Sequence, residues 1–107
     1  MNFNEYQKET GKLALPTSEN LEYLIAGLCA ESGEVAGKYA KVIRDKNGVF
    51  SKTDSDEIIK EVGDCLWFLS EISRIQGYKF NYVAESNISK LNDRKTRGVL
   101  SGSGDNR

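Results

Sequence analysis

The chain contains no histidine. That absence removes imidazole metal ligands, Ser-His and Cys-His nucleophile pairs, and histidine as a general base. Any chemistry here must run on carboxylates, lysine, arginine, a metal ion or water. A charge imbalance is lacking as well: 15 basic residues against 16 acidic ones leave −1, which provides no basic footprint for nucleic acid. No apolar run approaches the ~20 residues that span a bilayer. The opening Met1-Asn-Phe-Asn-Glu-Tyr6 has no apolar signal-peptide core. The expectation is therefore no membrane and a cytoplasmic location. No Gly-x-x-x-x-Gly-Lys-Ser/Thr loop is present, which excludes P-loop nucleotide binding. The two cysteines, Cys29 and Cys65, fall on apolar stripes and read as small reduced hydrophobes rather than a disulfide.

Proline occurs once, at Pro16, and no segment alternates as a strand would, so helical periodicity dominates. A first helix is expected from roughly Phe3 to Leu13, broken by Pro16-Thr17-Ser18, where Thr17 or Ser18 can cap a second helix from about Glu19 to Arg44. The apolar stripe of that helix runs through Leu21, Leu24, Ile25, Leu28, Cys29, Ser32, Val35, Ala36, Tyr39 and Ile43. Asp45-Lys46-Asn47-Gly48 supplies turn chemistry. A third helix, capped by Thr53 or Ser55, is expected from about Asp56 to Gln76, with Ile58, Val62, Cys65, Leu66, Leu69 and Ile72 buried. A fourth runs from roughly Asn81 to Lys95. Residues 1–97 read as one all-α domain, a four-helix bundle-like fold, and Gly98 to Arg107 as a flexible Gly/Ser-rich tail. A chain of 107 residues buries about two thirds of its unfolded surface, so dimerisation is expected to complete the core.

Two acidic pairs stand out: Glu31-Ser-Gly-Glu34 and Glu61-Val-Gly-Asp64. Residues three apart share a helix face, so each pair stacks its carboxylates one turn above the other. Both pairs border an apolar stripe. If the second and third helices pack antiparallel, four carboxylates converge at one edge of the core. Hard oxygen ligands with no imidazole or thiolate suit Mg²⁺, with Mn²⁺ as a substitute. Gly33 and Gly63 lie inside the pairs, and each costs a helix about 1 kcal/mol relative to alanine. Two such costs at equivalent places imply that backbone or ligand approaches closely there. The competing reading is a solvated face paired with Lys38, Lys41 and Lys60, each pair contributing roughly a few tenths of a kcal/mol. The apolar borders favour the metal site.

Glu-x-x-Glu, a spacer of 26 residues and Glu-x-x-Asp resemble the signature of the MazG-like all-α NTP pyrophosphohydrolases. The contexts are similar too: Gly27-Leu-Cys-Ala-Glu-Ser-Gly-Glu-Val35, Glu61-Val-Gly-Asp-Cys-Leu-Trp-Phe-Leu69, and the later Asn87-x-x-Lys90-Leu-x-x-Arg94. The resemblance covers about residues 20 to 98. It implies a helical bundle that forms a homodimer or homotetramer and cleaves a nucleoside triphosphate to the monophosphate and pyrophosphate. By the same resemblance, Glu31, Glu34, Glu61 and Asp64 would be the Mg²⁺ ligands, and Lys90 and Arg94 would contact the triphosphate. A carboxylate not fully committed to metal can take a proton from water; Glu34 is the first candidate and Glu31 the second.

Further substrate contacts are expected at the edges of this site. Trp67, Phe68, Tyr78, Phe80, Tyr82, Phe3 or Tyr6 could stack on a base, although aromatics at helical spacing usually serve a core or an interface. Trp67 is the favoured one of these. Asn87 could hydrogen-bond substrate. Lys38 reads first as an intrahelical ion partner and second as a phosphate contact. The tail would fold over the nucleotide with Arg107 near a phosphate. Three readings stay open: a Mg²⁺-dependent (d)NTP pyrophosphohydrolase in pool regulation or house-cleaning, a phosphoribosyl-ATP pyrophosphohydrolase, and a non-catalytic helical partner that binds a cation or a protein.

Overall fold

Asn2 starts the first helix in the computed structural model, which describes residues 1–107. Its side chain accepts from the Glu5 amide at 2.8 Å while Glu5 accepts from the Asn2 amide at 3.1 Å, a reciprocal cap that fixes α1 over Phe3–Leu13. One 3-10 turn, Pro16–Ser18, follows. The second helix, α2, spans Leu21–Lys46 and is capped by Asn20, which accepts from the Tyr23 amide at 3.1 Å. Thr17 and Ser18, the expected caps, belong to the 3-10 turn instead, and Ser18 is buried there. Asn47 and Gly48, both left-handed with φ of 53° and 76°, end α2.

The third helix, α3, covers Lys52–Ile75 and begins four residues before the expected Asp56. Ser51 and Asp54 form a second reciprocal cap there, which leaves Thr53 and Ser55 inside the helix rather than at its end. Lys46 adds an ion pair to Asp54 at 2.7 Å, closing the turn between α2 and α3. Gly77, at φ 83°, ends α3, and α4 runs over Phe80–Thr96. No side chain of its own caps α4. Its first amides donate instead to α1: Phe80 to Gln7 Oε1 at 3.3 Å and Asn81 to Asn4 Oδ1 at 2.9 Å.

Helices α2 and α3 form an antiparallel hairpin, since partners across it rise in number on one helix as they fall on the other: Gly27 meets Phe68, Lys38 meets Glu61, and Lys46 meets Asp54. Packing is tight at Gly27, where a built Cβ would lie 2.2 Å from Phe68 Cε1. Gly33 and Gly63 behave otherwise. A Cβ at either meets nothing within 4 Å, so of the expected backbone or ligand approach, no backbone of this chain supplies it.

Helix α1 docks on α3 through a polar core. The Thr10 hydroxyl lies 2.8 Å from Glu71 Oε2 and 2.9 Å from Ser70 Oγ, and Gln7 donates to the Tyr78 carbonyl at 2.9 Å. Glu71 is fully buried, and Arg74 donates to both of its oxygens. A buried carboxylate is tolerable only with such partners. The apolar core is correspondingly thin. Leu24, Val42 and Phe80 are buried, whereas Val62 and Leu69 on the expected stripe of α3 are exposed, as are Ile25, Tyr39 and Ile43 on α2. The radius of gyration is 16.7 Å, against about 13 Å for a compact domain of this length. The chain is all-α, and no helix is long and apolar enough to cross a membrane.

Candidate metal centre

Where α2 and α3 face each other midway along the hairpin, Glu31, Glu61 and Asp64 each bring one carboxylate oxygen to within 4.8 Å of the others. Glu61 and Asp64 are one turn apart on α3, and Glu31 reaches them from α2. Glu34 is not part of this group. It is exposed on α2, displaced around the helix from Glu31, yet near enough that its charge pushes the Glu31 carboxyl up. Three of the four acids marked by the sequence therefore converge.

The electrostatics of the group are those of too much negative charge in one place. Partial burial, then Asp64, then a hydrogen bond to Glu61 raise the Glu31 pKa. Glu61 moves the other way, chiefly because Lys38 donates to it. Of the two, Glu31 therefore holds a proton the more readily. The Lys38 ammonium lies 2.8 Å from Glu61 Oε1 and 3.5 Å from Glu57 Oε2. Lys38 thus pairs across the hairpin rather than along its own helix with Glu34. The Asp64 charge also raises the Tyr6 hydroxyl pKa after partial burial, which places α1 beside the acids.

These residues fit a divalent cation. Three converging hard oxygens whose mutual repulsion a cation would relieve match the donor set of Mg²⁺ or Mn²⁺.

The other expected site residues are more scattered. Trp67 packs edge-on against Phe68 with ring centroids 5.1 Å apart, and Phe68 lies over Gly27, so Trp67 belongs to an aromatic cluster along the hairpin. Asn87 is exposed on α4. Lys90 and Arg94 are both engaged by Asp105: Lys90 Nζ at 3.0 Å and Arg94 Nη2 at 3.2 Å from Oδ1. Arg107 donates to the carbonyls of Val99, Leu100 and Gly104. Residues 98–107, the expected tail, turn back along α4. Sequence reasoning did not single out Asp105, although an aspartate in a Gly/Ser-rich segment that follows two cations at helical spacing was a usable signal. It also passed over Gln7, Thr10 and Glu71, which hold α1 beside the acids.

The MazG nucleotide pyrophosphohydrolase domain family matches residues 19–99, a span that contains Glu31, Glu34, Glu61, Asp64, Lys90 and Arg94. The chain is 40% identical over 89 residues to the Gene 37 protein of Mycobacterium phage L5, covering 83% of this chain and 78% of that protein. No solved structure matches. The chain belongs to the MazG nucleotide pyrophosphohydrolase family.

Proposed function

We propose that this protein hydrolyses nucleoside or deoxynucleoside triphosphates to the monophosphate and pyrophosphate, with Mg²⁺ held by Glu31, Glu61 and Asp64. The reading rests foremost on the convergence of those three carboxylates from two helices, within a span that matches a pyrophosphohydrolase family. The cation, when bound, neutralises phosphate oxygens and lowers the pKa of water. Glu34 stands outside the ligand group, exposed and one turn from Glu31, and so is available to take the proton of the attacking water. Lys38 neutralises Glu61 and is close enough to the acids to meet a phosphate oxygen. Lys90 and Arg94 on α4 supply positive charge for the leaving pyrophosphate. Asn87, three residues before Lys90, and Trp67 are the proposed sugar and base contacts. The role fits nucleotide-pool regulation or house-cleaning in the cytoplasm.

The working form is proposed to be a homodimer or homotetramer. Ile25, Tyr39 and Ile43 on α2 and Ile59, Val62 and Leu69 on α3 leave much of the hairpin apolar and exposed, and a second copy is the natural cover for such a surface.

The deciding assay is a panel of canonical and modified (d)NTPs with Mg²⁺, including phosphoribosyl-ATP, read for monophosphate and pyrophosphate. Turnover of one or more triphosphates at the α–β bond supports the proposal. Release of inorganic phosphate with a diphosphate, or turnover of phosphoribosyl-ATP alone, overturns it.

A further inference from the structure

The last turns of α4 carry two cations in contrasting settings. Lys90 is exposed, while Arg94 is only 5% exposed, and the acidic partner of both is Asp105. Arg94 Nη2 donates to the Asp105 backbone carbonyl and to Oδ1, and Lys90 donates to that same Oδ1. One carboxylate oxygen therefore serves two cations.

Loop 98–107 is shaped to deliver it. Gly98, Gly102 and Gly104 all have positive φ, at 73°, 142° and 88°. Arg107 closes the loop on itself through three carbonyls, and Arg97 donates to the Arg107 carbonyl at 2.6 Å. A Cβ at Gly102 would come 3.2 Å from Arg107 Cδ, so a side chain there would crowd the arginine. Apolar burial adds little, since Leu100 is exposed and Val99 half-buried. The Asp105 side chain is 81% exposed. The Lys90–Asp105 pair, exposed at both ends, is worth roughly a factor of a few in an equilibrium, and the open Asp105 end of the Arg94 pair leaves the carboxylate free to be exchanged for a better anion.

We infer that Asp105 is a carboxylate stand-in for substrate phosphate: it engages Lys90 and Arg94 until a polyphosphate takes them, and loop 98–107 then lifts from α4. The inference rests on the proposed contact of those two cations with the phosphate chain. Arg94, covered by the loop, can meet phosphate only if Asp105 yields. A guanidinium gains more from a multiply charged phosphate chain, which it can grip bidentately, than from one shared carboxylate oxygen. A ligand of low charge gains too little to displace it. Asp105 thus sets a charge threshold that favours polyphosphates over monophosphates.

Inorganic pyrophosphate is the probe, titrated into the full chain and its Asp105→Asn variant. Affinity is read by calorimetry, and amide hydrogen exchange over residues 99–107 is read in the same samples. Exchange over α2 and α3 reports that both proteins are folded. Saturating pyrophosphate should speed exchange across 99–107 in the unmodified chain. Without ligand the variant loop should exchange faster than the parent's, and the variant should bind pyrophosphate about three- to tenfold more tightly, the scale of losing ion pairs whose carboxylate is open to water. Weaker binding by the variant, slower or unchanged exchange on adding pyrophosphate, or no binding at all overturns the inference. Triphosphate turnover is scored separately: turnover with a loop indifferent to pyrophosphate sinks this inference alone, whereas loop release without turnover of any triphosphate sinks the proposed function alone.

Discussion

Lys38 on α2 places its ammonium 2.8 Å from Glu61 Oε1 on α3, so a lysine ties the two helices together at the edge of the acidic group. The pair offsets one of three carboxylate charges that converge there. Lys38→Met removes that offset. In metal-free buffer the variant should melt a few degrees below the parent, and Mg²⁺ should raise its melting temperature by more than it raises the parent's. Thermal melts with and without Mg²⁺ at matched ionic strength check this. Equal Mg²⁺ shifts in the two proteins would contradict it.

Glu31 makes the opposite prediction. Burial and its acidic neighbours hold its pKa above the ordinary 4.5, so the metal-free folded state binds this proton more tightly than the unfolded chain does. The stabilisation is fully present below the unfolded value and fades as pH rises through the raised folded one. Glu31→Gln mimics the protonated form. In metal-free buffer at neutral pH it should melt no lower than the parent, while its stability lacks the parent's decline over that window. The same variant should lose the Mg²⁺-induced shift and at least about 10²-fold in turnover, the scale of losing one electrostatic contact in a preorganised site. A metal-free variant markedly less stable than the parent would show that Glu31 makes a favourable contact as a carboxylate.

Asp54 titrates in the opposite sense. Lys46 first, and the Ser51 amide and hydroxyl after it, lower its pKa to about 2. Its contribution is present above the unfolded value near 3.8 and is lost as pH falls toward 2. The stability gap between the parent and Asp54→Asn should be full at neutral pH and close across that interval in acid melts. A gap that persists at pH 2 would mean the carboxylate charge is not its source.

Three glycines separate close packing from open surface. Gly27→Ala drives a methyl into the Phe68 ring and should destabilise by about 1–3 kcal/mol, the usual cost of overpacking. Gly33→Ala and Gly63→Ala meet open space. Each should stabilise the isolated hairpin by roughly 0.5–1 kcal/mol through helix propensity. Chemical denaturation of the three variants tests the contrast. Destabilisation at Gly33 or Gly63 would reveal that a second copy presses on that face.

Much of this architecture is legible in the residue order, and the exceptions share a cause. Amphipathic spacing marks all four helices, and Phe3–Leu13 agrees residue for residue because Asn2 and Glu5 settle it locally. The start of α3 is harder, since Ser51, Thr53 and Ser55 are all fit to cap and only the Ser51–Asp54 pairing decides. Spacing marks Glu31, Glu61 and Asp64, which converge, and equally Glu34, which does not join them. That Glu34 stands apart follows from how the two helices face each other, which spacing does not encode. Lys38 suits an intrahelical partner as well as one across the hairpin, and only packing selects Glu61. Glu71 runs against the rule that acids stay outside, and its burial depends on Thr10, sixty-one residues away, and on Arg74. Asp105 meets Arg94 only because three left-handed glycines turn the chain back.

The exposed apolar face of the hairpin predicts association. Light scattering coupled to size-exclusion chromatography should return two or four times the single-chain mass. A single-chain mass at micromolar concentration would leave Ile25, Tyr39, Ile43, Val62 and Leu69 in water and contradict the proposed assembly.

The central claim is that Glu31, Glu61 and Asp64 together hold one divalent cation. Its most direct test is a Mn²⁺ titration followed by electron paramagnetic resonance, on the parent and on Glu61→Gln and Asp64→Asn with helical content checked. The account predicts one saturable site per chain in the parent, competed by Mg²⁺ and lost in both variants. Undiminished Mn²⁺ binding in the two variants would contradict it.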